Sequence, residues 1–340
     1  MAQDDGVDGY DLIGDVHGCG HTLIRLLEAL GYRAEDGVFR HPRRRVIFLG
    51  DLIDRGPSIR LAVSVAKRMV DAGEAHIVMG NHEVNALAYC HQAPSDSERE
   101  WLRDHTPRNN RIIGRTLEQF HAFPLEWETC LSWFMTLPLC LDLGGLRVVH
   151  ACWDEPLIAA FLARRPDARI DRDFLVESVQ HGSLAQRILD RLTRGTQLPL
   201  PPGVEIRSGD GFTRRSFRTH FWCRNPRTYG DVVFQPDNLP LGLEDRPLSA
   251  GERERLSYYP ESAPPLFVGH YWCKGVPALP RANIACLDYS AVKYGRLVAY
   301  RWEGEERLDA NRFVWVDVER EGARGWGREL GPCDFCIFLQ

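Results

Sequence analysis

Short apolar runs that end in polar, glycine-bearing turns recur along this chain. Tyr10-Asp11-Leu12-Ile13 leads into Gly14-Asp15-Val16-His17-Gly18, and Val46-Ile47-Phe48-Leu49 into Gly50-Asp51-Leu52-Ile53-Asp54-Arg55-Gly56. Ala75-His76-Ile77-Val78-Met79 leads into Gly80-Asn81-His82-Glu83. Apolar runs of this length, bounded by turn residues, predict buried strands. Behind each turn the apolar positions change to helical spacing: Leu23, Leu26, Leu27 and Leu30, then Ile59, Ala62, Val63, Ala66 and Val70, then Val84, Leu87 and Ala88. Strand, polar turn and helix, repeated, define an α/β protein. Polar residues at the C-terminal edge of such strands sit where these sheets bind ligands.

Further along, Leu139 to His150 predicts two strands joined at Gly144-Gly145. Pro265 to Val268 predicts a strand that delivers Gly269-His270, and 283–287, 297–302 and 313–318 predict three more. Residues 90–128 read as helical excursions and loops on one face of the sheet. Stretches 156–165 and 171–192 read as helices, and Leu198-Pro199-Leu200-Pro201-Pro202 stops the pattern. An irregular, aromatic-rich segment follows, and 236–265 reads as loop with a short helix. The 156–265 stretch is too long for a plain loop and is expected to form a cap or side lobe. The expected organisation is a flexible start at 1–8, one domain over 9–318 with that insertion, and a tail at 319–340.

Composition narrows the possibilities. The chain has 340 residues, 44% of them hydrophobic, so it can bury a large core. A net charge of −5 gives no reason to expect a nucleic-acid-binding surface. Arg43-Arg44-Arg45 is brief, lies beside turn residues and is read as solvated. The most hydrophobic region, 130–153, is broken by Pro138, Asp142 and Arg147, so no membrane anchor is expected. The acidic start shows no leader pattern, and ten cysteines without one read as reduced thiols of a cytoplasmic protein. Cys333 and Cys336 form a C-x-x-C, but no second ligand pair is spaced to complete a zinc site.

The strand ends together deliver Asp15, His17, Asp51, Asp54, Arg55, Asn81, His82, His150 and His270. Carboxylate and imidazole donors without thiolate suit manganese, iron or zinc better than magnesium or calcium. The donors are too many for one tetrahedral ion, which points to two ions sharing a carboxylate. The blocks Gly14-Asp15-x-His17-Gly18, Gly50-Asp51-x-x-Asp54-Arg55-Gly56, Gly80-Asn81-His82-Glu83, His150-Ala151 and Gly269-His270 resemble, in order, those of the calcineurin-like metallophosphoesterases. The closest branch is the phosphoprotein phosphatase group, which includes bacterial serine/threonine phosphatases and symmetrical dinucleoside tetraphosphatases.

The resemblance implies a fold of two packed mixed β-sheets flanked by helices. It also implies roles. Asp15 and His17 would bind a first metal, Asp51 would bridge, and Asn81, His150 and His270 would complete a second site, most simply for two manganese ions. A hydroxide held between the ions would attack phosphorus in line. Arg55 and Asn81 would hold phosphate oxygens, and His82, oriented by Asp54, would protonate the leaving group. Trp222-Cys223-Arg224 resembles a phage-type phosphatase motif that brings a further arginine to phosphate, with Arg227 as the reserve. Tyr271-Trp272, after His270, and Cys152-Trp153, after Ala151, depart from the family pattern; these aromatics either line a substrate pocket or pack under the insertion.

Three functions are compatible with this. The first is a two-metal phosphomonoesterase acting on a phosphoprotein or a small phosphate ester. The second hydrolyses a dinucleoside tetraphosphate or another phosphoanhydride or phosphodiester. The third is a metal-binding scaffold without activity, disfavoured because every expected ligand and the acid are present.

Overall fold

The computed structural model describes residues 7–207, 213–235, 239–240, 242–293 and 295–318. The 319–340 tail with Cys333 and Cys336, and residues 1–6 of the expected flexible start, lie outside the described residues.

Two sheets carry the fold. The first runs in the order Asp288–Tyr289, Arg296–Trp302, Gly9–Ile13, Arg44–Phe48 and Ala75–Ile77, with Phe313–Asp317 paired to Arg296–Trp302. Gly9–Ile13, Arg44–Phe48 and Ala75–Ile77 are parallel, as the repeated strand–helix pattern requires, and Arg296–Trp302 runs antiparallel to Gly9–Ile13. The second sheet is Ile284–Cys286, Leu266–Val268, Arg147–Val149 and Cys140–Asp142. Its first three strands are parallel, and the last is the antiparallel arm of the expected hairpin.

Side-chain alternation shows how the sheets lie. Successive strand residues point to opposite faces. Leu12, Ile47, Val148, Phe267, Ala285, Val298 and Tyr300 meet in one apolar cluster between the sheets. Their neighbours Ile13, Val46, Phe48, Val149, Leu266, Val268 and Cys286 belong to another, with helical residues such as Leu23, Leu27, Ala62 and Ala66. Both faces of each sheet are therefore covered, which is why the strands read as unbroken apolar runs. Two packed mixed sheets flanked by helices are the expected architecture.

The insertion divides in two. Helices Glu155–Arg164, Arg172–Ser178 and Leu184–Arg194 bury Phe161, Phe174, Ile188 and Leu192 in the main core. After Pro199–Pro202 the chain forms a separate lobe, contrary to the irregular reading of that segment. Strands Val233–Gln235, Ser216–Thr219 and Thr196–Pro199 make a small antiparallel sheet over a cluster of Leu198, Phe217, Tyr229, Val232 and Leu248. The strands are only three or four residues long, too short to show period-two alternation in the sequence.

Arg44 corrects the solvated reading of the basic triplet. It is 4% exposed, and its Nε donates to Asp11 Oδ2 at 3.0 Å. Tyr32 Oη donates to the same oxygen at 3.0 Å, and Arg301 lies 3.2 Å from the other. A strand position thus carries a buried ion pair that helps close the end of the sheet remote from the polar turns.

Candidate active site

The polar turns meet at one edge where the two sheets adjoin. His17, Asp51, Asp54, Arg55 and His270 all take positive φ, between 43° and 69°. Backbone in this region is uncommon and strained outside glycine, and it concentrates at working sites. Close approach is built in as well. A Cβ at Gly269 would run into the Asp15 carboxylate, and one at Gly80 into Asp51.

Asp51 is the centre of the cluster. Its Oδ2 lies 3.6 Å from His17 Nε2, 3.4 Å from His150 Nε2 and 3.9 Å from His82 Nε2, and its Oδ1 accepts from the His82 N–H at 2.9 Å. Asp15 Oδ2 is 4.0 Å from His17 Nε2, and its carboxylate accepts from the His270 N–H at 3.1 Å. Two groups of ligand-type atoms result, one from His17, Asp51 and His82 and one from Asp51, His150 and His270. Asp51 is common to both. Apart from Arg55, the residues of the cluster are buried.

These residues fit divalent cations. His17 Nδ1 faces Ile53 O at 3.1 Å and His150 Nδ1 faces Leu49 O at 2.6 Å. The carbonyls accept from Nδ1 and turn each Nε2 edge toward Asp51, as outer partners of metal-bound histidines do. Asn81 Oδ1 lies 2.7 Å from His270 Nδ1 and 3.2 Å from His150 Nε2. With the amide reversed, its NH₂ donates to both rings and to Thr193 O. Acceptor atoms converging like this need either that NH₂ or a cation among them. Charge separates the three rings. Burial alone would lower His150, but the Asp51 and Asp15 carboxylates outweigh it and hold it up to about 10. Burial lowers His17, helped by Arg55, and lowers His270, helped by Arg218, so both stay neutral and able to ligate.

Beside the cluster stands a second device. His82 Nδ1 is 2.5 Å from Asp54 Oδ2, and Arg55 Nη2 is 3.1 Å from His82 Nε2. Arg55 is half-buried and stacks on the Trp272 ring, with its guanidinium carbon 4.5 Å from the centroid. The aromatic departures therefore split. Trp272 borders the cluster. Tyr271 packs against Phe221, Trp222 and Phe234 of the insertion, and Trp153 is buried beside Arg147.

Arg224 is not brought to the cluster. It is exposed and, with Arg227, lines a separate cleft on the lobe. The lobe arginine that reaches the cluster is Arg218, whose Nη1 donates to His270 O at 3.2 Å. The strand Ser216–Thr219 explains this: Phe217 and Thr219 enter the lobe core, so Arg218 points the other way.

Three residues escaped the sequence reading. Glu83, fully buried, accepts from the N–H groups of Asp51 and Leu52 at 2.8 Å and of Gly80 at 3.0 Å, fastening two polar turns together. Burial, then Asp51, raises its carboxyl to about 6. Asp288 accepts from Trp272 N and Ser290 N, both at 2.9 Å, and braces the turn after His270. Thr116 Oγ1 donates to Asp54 Oδ1 at 2.5 Å and accepts from Asp54 N at 3.1 Å. Glu83 stood in view beside His82. Nothing in the sequence marks Thr116 or Asp288.

Fold and cluster together define an α/β protein with a buried histidine–carboxylate cluster at its strand ends, a candidate metal centre. Residues 11–168 match the model of the calcineurin-like phosphoesterase family, and this stretch holds the strand ends that carry His17, Asp51, Asn81, His82 and His150. A relative from Geobacillus sp. strain WCH70, named bis(5'-nucleosyl)-tetraphosphatase PrpE, asymmetrical, is 42% identical over 152 residues, 42% of this chain and 56% of the relative. One of the same name from Oceanobacillus iheyensis is 32% identical over 124 residues, 34% of this chain and 49% of the relative. The chain thus spans about half the length of these curated relatives. Similar solved structures include a cold-active protein-tyrosine phosphatase of Shewanella (TM-score 0.47, 14% identity, 92% of this chain and 81% of that one). A protein serine/threonine phosphatase from Saccharomyces cerevisiae is another (TM-score 0.46, 15% identity, 93% and 81%). Among the described residues no helix is long and apolar enough to cross a membrane.

Proposed function

We propose that this protein is a metal-dependent hydrolase that cleaves the phosphoanhydride chain of a dinucleoside tetraphosphate. The observation that carries the hydrolase reading is Asp51, shared by two ligand groups and flanked by His82 and Arg55. The names of the relatives support the dinucleoside substrate over a phosphoprotein, and they specify asymmetrical rather than symmetrical cleavage. Asp15, His17 and Asp51 would hold one cation, and Asp51, Asn81, His150 and His270 a second, manganese suiting this donor set. Bound there, the cations would supply Lewis acidity to phosphoryl oxygens and acidify water.

The chain's own groups do the rest. Arg55 binds phosphoryl oxygens with its fork of donors, and Arg218 adds positive charge from the lobe. His82 gives its Nε2 proton to the departing oxygen, and Asp54 stabilises the imidazolium that holds the proton until then. A phosphomonoester would meet the same groups. That second reading stands because nothing in the cluster itself requires a long phosphate chain.

The test is a substrate panel with manganese-loaded protein. Asymmetrical cleavage of diadenosine tetraphosphate yields AMP and ATP, symmetrical cleavage two ADP. Faster turnover of a phosphopeptide or p-nitrophenyl phosphate than of diadenosine tetraphosphate would replace the proposed substrate by a monoester. No manganese-dependent, EDTA-sensitive hydrolysis of any of them would leave only the scaffold.

A further inference from the structure

The lobe carries a cleft of about 520 Å³, lined by His220, Arg224, Arg227, Arg253, Leu256 and Tyr258 among others. None of its lining residues belongs to the histidine–carboxylate cluster. Arg224 and Arg227 are exposed and line the cleft. Asp231 Oδ2 accepts from the N–H groups of Arg227 at 2.7 Å and Thr228 at 2.9 Å, holding the loop in shape, and its charge also acts on the Arg227 guanidinium. Arg253 is steadied by donation from Nη1 to Leu248 O at 2.6 Å.

The cleft lining also includes aromatic rings, His220 and Tyr258. His220 stacks on Trp222 with centroids 4.8 Å apart and planes 9° apart, and its buried Nδ1 has no hydrogen-bond partner. Tyr258 is 36% exposed, and the Arg281 guanidinium lies over its ring, 5.4 Å from the centroid. Burial keeps the His220 imidazole neutral, down to about 4, so the ring lines the cleft without charge. Guanidinium forks match phosphate oxygens, while a flat ring and a neutral imidazole suit a heteroaromatic base. A volume in the range of roughly 300–1,000 Å³ is that of ordinary small-ligand pockets.

We propose that this lobe cleft is a second site that binds a nucleoside phosphate, separately from the metal cluster. The phosphate lies against Arg224 and Arg227, and the base packs between Tyr258 and the neutral His220 ring. The proposal does not depend on which bond the metal cluster hydrolyses.

Calorimetric titration of the full chain in EDTA tests it, with AMP, adenosine and inorganic phosphate as separate probes. AMP should bind about tenfold or more tightly than either fragment. Arg224→Ser with Arg227→Ser should weaken AMP by at least about tenfold, with the melting temperature unchanged because both side chains are exposed. Arg55→Ala should leave AMP binding in place, and the manganese-loaded double variant should still hydrolyse whatever small substrate the wild type does. Absence of AMP binding, equal binding of AMP by the double variant, or loss of binding through Arg55→Ala alone would each overturn the site. A protein without hydrolase activity would still report on the cleft, so the two readings fail separately.

Discussion

Asp54 Oδ2 stands 2.5 Å from His82 Nδ1, and the other oxygen of the same carboxylate is held by Thr116 Oγ1. The histidine is thereby aimed, with Nε2 turned to Arg55 and Asp51. If His82 is the acid, His82→Asn should lower kcat by about 10²–10⁴-fold, the usual contribution of a positioned proton donor. Metal content by atomic absorption should change little. A matching loss of metal would make His82 a ligand and remove it as acid.

Thr116 gives a subtler test. Thr116→Val keeps the shape of a fully buried side chain but leaves Asp54 N–H and Oδ1 without partners. A buried polar group so stranded costs on the order of 1–3 kcal/mol, so the melting temperature should fall by several degrees. kcat should fall as the Asp54–His82 alignment loosens, and KM should move less. Thr116→Ser, which restores the hydroxyl, should recover both. Failure of that rescue would confine Thr116 to packing.

Glu83 ties the Asp51 turn to the Gly80 turn through four backbone N–H groups, those of Asp51, Leu52, Ile53 and Gly80. Glu83→Gln replaces an acceptor oxygen with an NH₂ that faces those donors. The shared carboxylate Asp51 should then lose its orientation, and metal affinity should drop by about 10–100-fold, the usual effect of removing an outer partner. Asp51→Asn should strip metal more completely. Unchanged metal affinity in Glu83→Gln would mean the turns hold their shape without it.

The legible part of this protein was the part where chemistry forces residue type. Metal-binding and phosphate-binding turns need carboxylate, imidazole, guanidinium and glycine at fixed places, and such residues at the ends of apolar runs stand out. Covered sheets also announce themselves, since strands such as Val46–Leu49 are apolar on both faces. Supporting residues were hidden because many side chains could serve. Thr116 sits inside a helix and Asp288 in a two-residue strand, and their roles exist only through contacts across the fold. The lobe was hidden for a different reason: its strands are too short to carry a pattern, and its core is assembled from scattered residues. Arg224 was misplaced by motif likeness, while Arg218, six residues earlier, is aimed at the cluster by strand alternation alone.

Trp272 carries Arg55 at 4.5 Å and Lys293 at 3.9 Å from its ring centroid. Stacking of this kind is worth about 0.5–2 kcal/mol and fixes the plane of the guanidinium. Trp272→Ala should free Arg55 and raise KM for a phosphate substrate about fivefold, with kcat less affected, while Trp272→Phe should recover most of the loss. A fall in kcat with KM constant would place Trp272 in the chemical step instead of in substrate positioning.

The lobe should also respond to acid through His220. Burial lowers this imidazole from its ordinary 6.5 to about 4, and only Asp231 opposes that. In the unfolded chain the ring takes its proton near 6.5, so between 6.5 and 4 the unfolded state binds more protons than the folded one. Stability therefore rises with pH across that window and is lost as pH falls from 6.5 toward 4. Above 6.5 the ring is neutral in both states and contributes no slope. Thermal unfolding of the wild type and of His220→Gln, followed from pH 7.5 to 4.5, separates this group from the carboxylates that both proteins share. The wild-type melting temperature should drop more steeply below 6.5, and the two curves should run parallel above it. Parallel curves throughout would show that His220 takes its proton in the folded lobe as readily as in the unfolded chain.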